Sequence, residues 1–285
     1  MRRNKIFLRA SVFFTLASFL VLSFPTEILA FGSRHASRPR IFLTAKSCAI
    51  IDMNDGMILY GKQPNLKLPP ASTTKVMTVL LVRSRLPLDH KITIGRTASS
   101  VPPSKAGLTL GAQYSVQDLI TAVLVSSAND AAVALAEAVA GSEKQFTNLM
   151  NLKARELGMN NTFFVNATGL TAKSHAQYTT AYDLARLMRV AVKDKVIDDI
   201  FGITETSIMG SDGKLIFLHA HNKMLWKMPK LVKGKTGWTN ASKHTFVGTN
   251  YSPNKSIAFA MLSSRKPWMD IERLMNFGLI LERHR

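Results

Sequence analysis

The sequence contains the stretch Pro70-Ala71-Ser72-Thr73-Thr74-Lys75-Val76-Met77-Thr78, and a strongly apolar segment continues from it towards Pro87. The pattern predicts a helix over residues 72–85. Residues three apart on a helix lie on one face, so Ser72 and Lys75 are expected to touch. An unprotonated lysine can take the proton of a serine hydroxyl, and the positive end of the helix would stabilise an oxyanion there. The two side chains are therefore a candidate nucleophile and base.

The Ser-x-x-Lys spacing is a weak signal by itself. The chain holds three further copies, in turns or at a strand end: Ser211–Lys214, Ser252–Lys255 and Ser263–Lys266. Taken alone, the first copy is explained more simply as a helix N-cap followed by a solvated lysine. Other segments have to decide between the structural and the catalytic interpretation.

Two further segments carry polar side chains where a cleft could form. Ser127-Ala128-Asn129 lies between two predicted helices, and its hydroxyl and amide would face that cleft; the alternative is a helix N-cap before Asp130. Lys235-Thr236-Gly237 lies on a predicted short strand between Gly234 and Trp238. A glycine on a strand lets a ligand approach the backbone, and lysine and threonine beside it can hold a carboxylate. The alternative there is a strand end that leads into a turn.

Strand patterns stand near both ends of the chain, and helix patterns fill its middle. Residues 45–53 and 57–62 predict a hairpin around Asn54-Asp55-Gly56. Helices are predicted over residues 115–125, 130–140, 143–157 and 180–192. Strands are predicted over residues 203–209, 214–219, 231–236, 245–249 and 257–263, before a closing helix over 266–281. Terminal strands that pair around a helical insert would give one mixed α and β (α+β) domain with two lobes.

The composition is unusual in its net charge, which is strongly positive. The 285 residues include 37 Lys and Arg against 18 Asp and Glu, which gives a net charge of +19. Such a surplus suggests a polyanionic neighbourhood, whether nucleic acid, anionic lipid or an acidic wall polymer. The single cysteine, Cys48, excludes a disulfide scaffold, and the apolar residues after it predict a buried strand position.

Residues 1–30 have the pattern of an export signal, in which a basic head precedes an apolar run and Ala30 offers a small residue for cleavage. The run is short for a membrane span, although an uncleaved anchor is an alternative. We expect an exported protein, in the periplasm or at the outer face of the cytoplasmic membrane. Residues 31–42 are expected to be a basic tether, and residues 43–285 the folded domain. Export argues against a nucleic-acid partner.

In this order, the segments that begin at Ser72, Ser127 and Lys235 resemble the motifs of low-molecular-weight penicillin-binding proteins, the serine D-alanyl-D-alanine carboxypeptidase family. Residues 157–162, 169–170 and 180–185 also look like family landmarks, and the likeness runs from Lys46 to Gly278. It implies a β-lactamase/transpeptidase-like fold, with an antiparallel sheet flanked by helices, a helical lobe, and the active site between them. Residues 43–285 would then be a penicillin-binding catalytic domain, without a C-terminal β-rich domain.

The resemblance implies catalytic roles for three residues. Ser72 would attack the carbonyl between the two terminal D-alanines of a peptidoglycan stem peptide and form an acyl-enzyme. Lys75 would take the serine proton, which requires a pKa lowered by burial and by the charge of Lys235. Ser127 would relay a proton to the departing amine. β-Lactam antibiotics would acylate and inhibit the same serine.

The resemblance also implies a substrate-binding set, and no metal or organic cofactor. Asn129 would bind the substrate's backbone amide, while Lys235 and Thr236 would bind its terminal carboxylate. Gly237 would let the substrate approach, and the N–H of Trp238 would complete an oxyanion hole with that of the nucleophile. An arginine that relatives place near the carboxylate has no clear counterpart, although Arg265 and Lys266 are candidates.

Three other functions remain open at this stage. A β-lactamase would need a deacylating glutamate, and the closest stretch, residues 156–160, has Met159 where that motif has leucine. A D,D-endopeptidase would cut the cross-links between stems. A catalytically retired module would bind the wall without cleaving it.

Two surface features have ordinary explanations that we also keep. The pair His219 and His221 has strand spacing but no third ligand nearby, so we expect no metal site. The basic surplus can be a solvated surface, or it can attract anionic membrane or wall polymer.

Overall fold

A computed structural model describes residues 41–102, 104–171, 177–228, 231–250, 254 and 256–283. The strands are β1 (Ser47–Asp52), β2 (Ile58–Lys62), β3 (Lys91–Thr93), β4 (Gln113–Ser115), β5 (Glu205–Met209), β6 (Leu215–His219), β7 (Val232–Thr239), β8 (Lys243–Asn250) and β9 (Ile257–Ser264). The helices are α1 (Lys75–Arg83), α2 (Arg96–Ser100), α3 (Val116–Val125), α4 (Asn129–Ala140), α5 (Glu143–Glu156), α6 (Ala181–Ala191), α7 (Lys195–Ile200), α8 (Met224–Lys227) and α9 (Pro267–Arg283). The predicted signal and most of the tether lie outside the described residues.

The main sheet is antiparallel, with the strand order β2-β1-β9-β8-β7. β1 pairs with β2 in the predicted hairpin, and on its other side with β9, from Ser47 opposite Leu262 to Asp52 opposite Ile257. The strands from the two ends of the chain therefore share one sheet, as the sequence predicts. β7 lies at the edge of the sheet, so its outer side is available for other contacts.

Both faces of the sheet are covered, which explains why residues 257–262 of β9 are all apolar. Ala258 and Ala260 belong to the core that faces the helical lobe. Phe259 and Met261 belong to a second core beneath α9. Cys48 lies in that second core, fully buried on β1 as predicted, and burial raises its pKa to about 11. The thiol is thus a packing group.

A buried carboxylate fixes α9 against the start of the domain. Asp270 accepts hydrogen bonds from the Thr44 N–H (3.0 Å), the Thr44 hydroxyl (2.6 Å), the Ala45 N–H (2.9 Å) and the Ser264 hydroxyl (2.6 Å). Its side chain is fully buried. Since a buried carboxylate is tolerated only when it is well hydrogen-bonded, this network specifies how α9 lies on the sheet.

Capping residues fix the start of α3 and the end of α4 in the helical lobe. The Ser115 hydroxyl accepts a hydrogen bond from the Asp118 N–H (3.0 Å) at the start of α3. α4 ends at Gly141, whose φ of +76° is the left-handed conformation that glycine adopts without strain. No helix among the described residues is long and apolar enough to cross a membrane.

The structure differs from the sequence prediction at the nucleophile segment and in several short elements. Residues 71–74 form a 3-10 turn, and α1 begins only at Lys75 and ends at Arg83, two residues before the predicted end. β3, β4, α2, α7 and α8 were not predicted, because elements of three to six residues hold too few positions to show a period.

Candidate active site

The candidate nucleophile, Ser72, lies on the strained 3-10 turn between the sheet and the helical lobe. Ala71 has a φ of +49°, a left-handed conformation that is unfavourable for alanine. The turn is held by two hydroxyls that donate to the Pro70 carbonyl, from Thr73 (2.7 Å) and from Thr245 on β8 (3.0 Å). These contacts present Ser72 at the junction of the two lobes.

Lys75 is fully buried and reaches back to the serine. Its Nζ lies 3.1 Å from the Ser72 Oγ, and it donates to the Asn129 Oδ1 (2.7 Å) and to the Thr168 carbonyl (2.6 Å). Burial lowers the pKa of Lys75 well below the ordinary lysine value, and the charge of Lys235 lowers it further. A neutral amine beside a hydroxyl is the arrangement that can accept the serine proton.

The segment Ser127-Ala128-Asn129 forms the opposite wall of the cleft. Ser127 has a φ of +62° and is almost fully buried, yet it lines the cleft beside the nucleophile. The N-cap alternative does not hold, because Ala128 occupies the N-cap position of α4 and no side chain caps that helix end. Asn129 bridges Lys75 and the Pro102 carbonyl, to which its amide donates (3.2 Å).

The edge strand β7 forms the remaining wall. A Cβ at Gly237 would lie 2.8 Å from the Ser72 N, so only glycine allows the strand to pass this close to the nucleophile. Lys235 is almost fully buried, and its Nζ donates to the Thr236 carbonyl (3.1 Å). Burial lowers the pKa of Lys235 to about 7. Trp238 is 56% exposed at the rim.

The three segments meet in one open cleft of about 1060 Å³. Part of the cleft lining is apolar or aromatic, although Thr239 and Asn240 beside it are polar. The residues of this part, which we call the apolar compartment, are Trp238, Ala241, His244, Pro267, Trp268 and Ile271. Burial lowers the pKa of His244, so this part of the cleft is uncharged at neutral pH. A neutral peptide segment would be accommodated there without a desolvated charge.

A backbone group that the sequence does not predict completes the site. The loop through residues 164–170 brings the Thr168 carbonyl to Lys75, and Asn166 holds the loop by accepting from the Gly169 N–H (2.7 Å). Gly169 has a φ of +83°, and a Cβ there would lie 1.8 Å from the Ala71 carbonyl oxygen. The only signal in the sequence is the Gly169-Leu170 landmark, which says nothing about a carbonyl.

The alternative candidates lie elsewhere. Ser211 and Lys214 are exposed at the turn between β5 and β6, and Ser252 and Lys255 lie outside the described residues. Ser263 precedes α9, and the described residues that line the cleft include neither it nor Lys266. Glu156 ends α5 at the surface, where it pairs with Lys153 (2.9 Å).

The two histidines with strand spacing lie in different surroundings. His219 is exposed and lies 3.1 Å from Glu205, whereas His221 lines the cleft. The pKa of His221 is lowered to about 4, first by desolvation and then by Lys235 and Lys75. Within the described part of the chain, no group of three or more His, Cys, Asp or Glu side chains is placed to hold a metal ion.

The fold and the cleft together define the class of serine hydrolases that have the penicillin-binding fold. The chain belongs to the D-alanyl-D-alanine carboxypeptidase family, whose profile matches residues 33–265. This confirms the family, the α+β fold class and the enzyme class that the sequence predicted. The family acts on peptidoglycan stem peptides, and its fold binds β-lactams.

Relatives of known name differ in length. The D-alanyl-D-alanine carboxypeptidase DacF of Bacillus subtilis is 31% identical over 82% of this chain, and the chain spans 62% of its length. The D-alanyl-D-alanine endopeptidase of Escherichia coli is 32% identical over 88% of this chain, which spans 81% of its length. The chain thus resembles enzymes named for two activities.

Solved structures of the family superpose closely. A D-alanyl-D-alanine carboxypeptidase from Mycobacterium tuberculosis has a TM-score of 0.80 at 26% identity, over 86% of this chain and 95% of that one. A mutant DD-transpeptidase from Streptomyces has a TM-score of 0.78 at 26% identity, over 85% of this chain and 100% of that one.

Proposed function

We propose that the protein removes the terminal D-alanine from peptidoglycan stem pentapeptides through an acyl-enzyme on Ser72. The observation that carries the proposal is the contact between the Ser72 Oγ and the buried Nζ of Lys75, at 3.1 Å, because burial lowers the pKa of that lysine and so favours the neutral amine that can act as a base. An ordinary solvated lysine would be protonated at neutral pH and could not take the serine proton.

The reaction would proceed in two steps that balance with one water. The Ser72 Oγ attacks the carbonyl carbon while its proton passes to Lys75. The C–N bond then breaks as the amine of the last D-alanine receives that proton from Lys75 through Ser127, which leaves Lys75 neutral again. Water next attacks the ester, again with Lys75 as base, and releases the shortened peptide as a carboxylic acid. The N–H groups of Ser72 and Trp238 would bind the oxyanion.

The order of residues along β7 supports an orientation for the substrate. Gly237 lies level with the nucleophile, Lys235 and Thr236 precede it, and Trp238 follows it. The departing residue carries the terminal carboxylate and would bind on the side of Lys235 and Thr236. The acyl part would then extend past Trp238 into the apolar compartment, with its backbone amide held by Asn129.

D,D-Endopeptidase action is the second candidate, favoured by the likeness to the E. coli endopeptidase. Both activities would use the same acyl-enzyme and differ only in whether the departing amine belongs to a free D-alanine or to a neighbouring stem. Purified pentapeptide monomer and cross-linked dimer, supplied separately, distinguish them by mass spectrometry of the products.

The location of the enzyme and its attraction to anionic surfaces belong to the proposal as well. The N-terminal pattern supports export to the periplasm or the outer face of the membrane, and the net charge of +19 supports attraction to acidic wall polymer or anionic lipid. High salt should then release the protein from wall preparations, because it screens surface charges. Retention that is insensitive to salt would contradict an electrostatic attraction.

The deciding experiment is incubation of the full chain with a fluorescent penicillin, followed by intact mass. We expect a stable adduct on the wild-type protein and none on Ser72→Ala. Ser211→Ala is the matched control, because it changes another Ser-x-x-Lys serine at an exposed turn, and it should keep the adduct. Folded wild-type protein without an adduct would support the retired wall-binding module instead.

A further inference from the structure

The base of the proposed reaction becomes a buried cation in the middle of each step. When Lys75 takes the serine proton it forms an ammonium whose three hydrogen-bond partners, on Ser72, Asn129 and Thr168, are all uncharged. Lys235 adds a repulsive charge nearby. An ammonium in such a setting is unstable unless an anion lies within range. The carboxylates that raise the pKa of Lys75 are Asp130 and Glu143.

The Asp130 carboxylate holds a loop in place through hydrogen bonds from backbone N–H groups. Its two oxygens accept hydrogen bonds from the N–H groups of Ala106 (3.0 Å), Gly107 (2.8 Å), Leu108 (3.1 Å) and Ala131 (3.0 Å). Four donors hold the carboxylate in place and fix the loop that covers the start of α4. Asp130 raises the pKa of Lys75 more than Glu143 does, but a substitution there would also disturb that loop and could not isolate the effect of the charge.

Glu143 is connected to Lys75 through one short piece of backbone. It lies in the first turn of α5, and its Oε1 accepts from the Ala167 N–H (2.9 Å). The next residue, Thr168, supplies the carbonyl that accepts from Lys75 (2.6 Å). The hydroxyl of Thr78 on α1 donates to the Ala167 carbonyl (2.7 Å), so this segment is fixed from both sides.

The electrostatic effects of Glu143 and Lys75 are reciprocal. The pKa of Glu143 is raised, first by burial and then by the charge of Glu137. The hydrogen bond from the Ala167 N–H and the charge of Lys75 both act in the opposite direction and lower it. For Lys75, burial and then Lys235 lower the pKa, whereas Asp130 and Glu143 raise it. Each of the two groups therefore stabilises the charged form of the other.

We propose that Glu143 is a positioning residue for the reaction: it holds the Thr168 carbonyl against Lys75 and, together with Asp130, supplies negative charge that stabilises the ammonium formed there. The proposal rests on the proposed function, since it needs Lys75 to be the base. It requires no contact between Glu143 and the substrate. The helix N-terminus that carries Glu143 would otherwise explain this acid as an ordinary first-turn residue.

The test is the pH profile of acylation by a fluorescent penicillin, measured on the full chain with Glu143→Gln. The amide oxygen of glutamine can still accept from the Ala167 N–H, so the variant removes the charge and keeps the loop contact. Acylation requires neutral Lys75, so its rate rises with pH through the pKa of Lys75. Loss of the negative charge lowers that pKa, and the acidic limb should move to lower pH by about one unit.

The same variant should also acylate more slowly at its plateau. A base whose pKa is about one unit lower accepts the serine proton less readily, and the expected loss is about 3-fold to 10-fold. The matched control is Glu156→Gln, which removes a carboxylate from the other, exposed end of the same helix and should change neither quantity. Glu143→Asp keeps the charge and should keep the limb close to its wild-type position.

Each outcome decides the proposal. One outcome is a Glu143→Gln variant that stays folded and forms the adduct with the acidic limb at the wild-type pH and the plateau rate of acylation unchanged. That result would overturn the proposal that Glu143 stabilises the ammonium of Lys75. A slower plateau with an unmoved limb would reduce Glu143 to a structural support of the loop and would also overturn it. If wild-type protein forms no adduct on Ser72, the proposed function itself has failed, which is a different result.

Discussion

The buried position of Lys235 predicts that substrate capture is lost as the pH rises through neutrality. Burial lowers the pKa of this lysine to about 7, so in the free enzyme it is about half protonated at neutral pH. Binding of a substrate carboxylate needs the protonated form. His221, which also faces Lys235, does not interfere, because its pKa is lowered to about 4 and it stays neutral in this range.

The size of the effect follows from the titration curve. Above its pKa the protonated fraction of Lys235 falls about tenfold per pH unit, so kcat/KM, which reports the free enzyme, should fall about tenfold between roughly pH 8 and pH 9. A bound carboxylate stabilises the ammonium and raises its pKa in the complex. The basic limb of kcat should therefore lie at higher pH than the basic limb of kcat/KM.

The assay is steady-state release of D-alanine from a stem pentapeptide, with kcat and KM measured between about pH 6 and pH 9. Lys235→Arg is the informative variant, because a guanidinium stays charged throughout this range. It should abolish the basic limb of kcat/KM, even if its longer side chain lowers the plateau. A wild-type kcat/KM that stays flat to pH 9, or a limb that persists in Lys235→Arg, would refute the assignment of Lys235 as the carboxylate-binding cation.

The same lysine makes a prediction about stability. Its pKa in the folded protein lies below the ordinary value of 10.5, so between about pH 7 and pH 10.5 the unfolded chain binds more protons. The free energy of unfolding should rise with pH across that window. Lys235→Met removes the buried ammonium and should stabilise the protein below about pH 7, by roughly 3–6 kcal/mol from the pKa difference. Urea denaturation at pH 6 measures it, and a less stable variant would contradict the reasoning.

Three further predictions concern the frame of the site. Gly169→Ala forces a Cβ into the 3-10 turn at residues 71–74 and should lower the free energy of unfolding by about 3 kcal/mol and the acylation rate at least tenfold. Gly107 has a similar φ and open space around it, so Gly107→Ala should lower the free energy of unfolding by only about 1 kcal/mol. Thermal melts and adduct formation check both variants. Trp268→Ala should weaken acylation by β-lactams with bulky apolar side chains about tenfold, and Trp226→Ala, outside the cleft-lining residues, should not. Asp270→Asn replaces one acceptor oxygen in a fully buried network and should lower the urea-derived stability by about 2–4 kcal/mol.

The parts of the structure that the sequence predicts are those with a side-chain pattern. The hairpin of β1 and β2 has two extended segments around an Asn-Asp-Gly turn, and residues 257–262 of β9 are all apolar because both faces of the strand are buried. Ser72 and Lys75 share a helical spacing, and their contact follows from it even though a 3-10 turn supplies part of the geometry. Long periodic elements and short-range spacings are therefore accessible from sequence.

The missing parts are backbone groups and charges that act through other residues. The Thr168 carbonyl has no signature, since every residue has a carbonyl and only the tertiary fold selects this one. Glu143 looks like any acid in a first helical turn, and its relation to Lys75 appears only when the loop at Ala167 is placed between them. The φ of +62° at Ser127 is similarly a product of the fold, and no side-chain preference predicts it.

The two buried lysines need different protonation states, and their surroundings supply the difference. Both lose the stabilisation of solvent, but only Lys75 has its pKa lowered by the charge of the other in addition to burial. Deprotonating one ammonium relieves the repulsion on its neighbour, so the pair favours one neutral amine and one cation. With Lys75 in contact with Ser72 and Lys235 beside Thr236, that division would give the proposed reaction a base beside Ser72 and a cation at the proposed carboxylate site. Burial of the two lysines lowers the free energy of unfolding, and so does the left-handed backbone at Ala71 and Ser127. The candidate active site is therefore a part of the domain that is not optimised for stability.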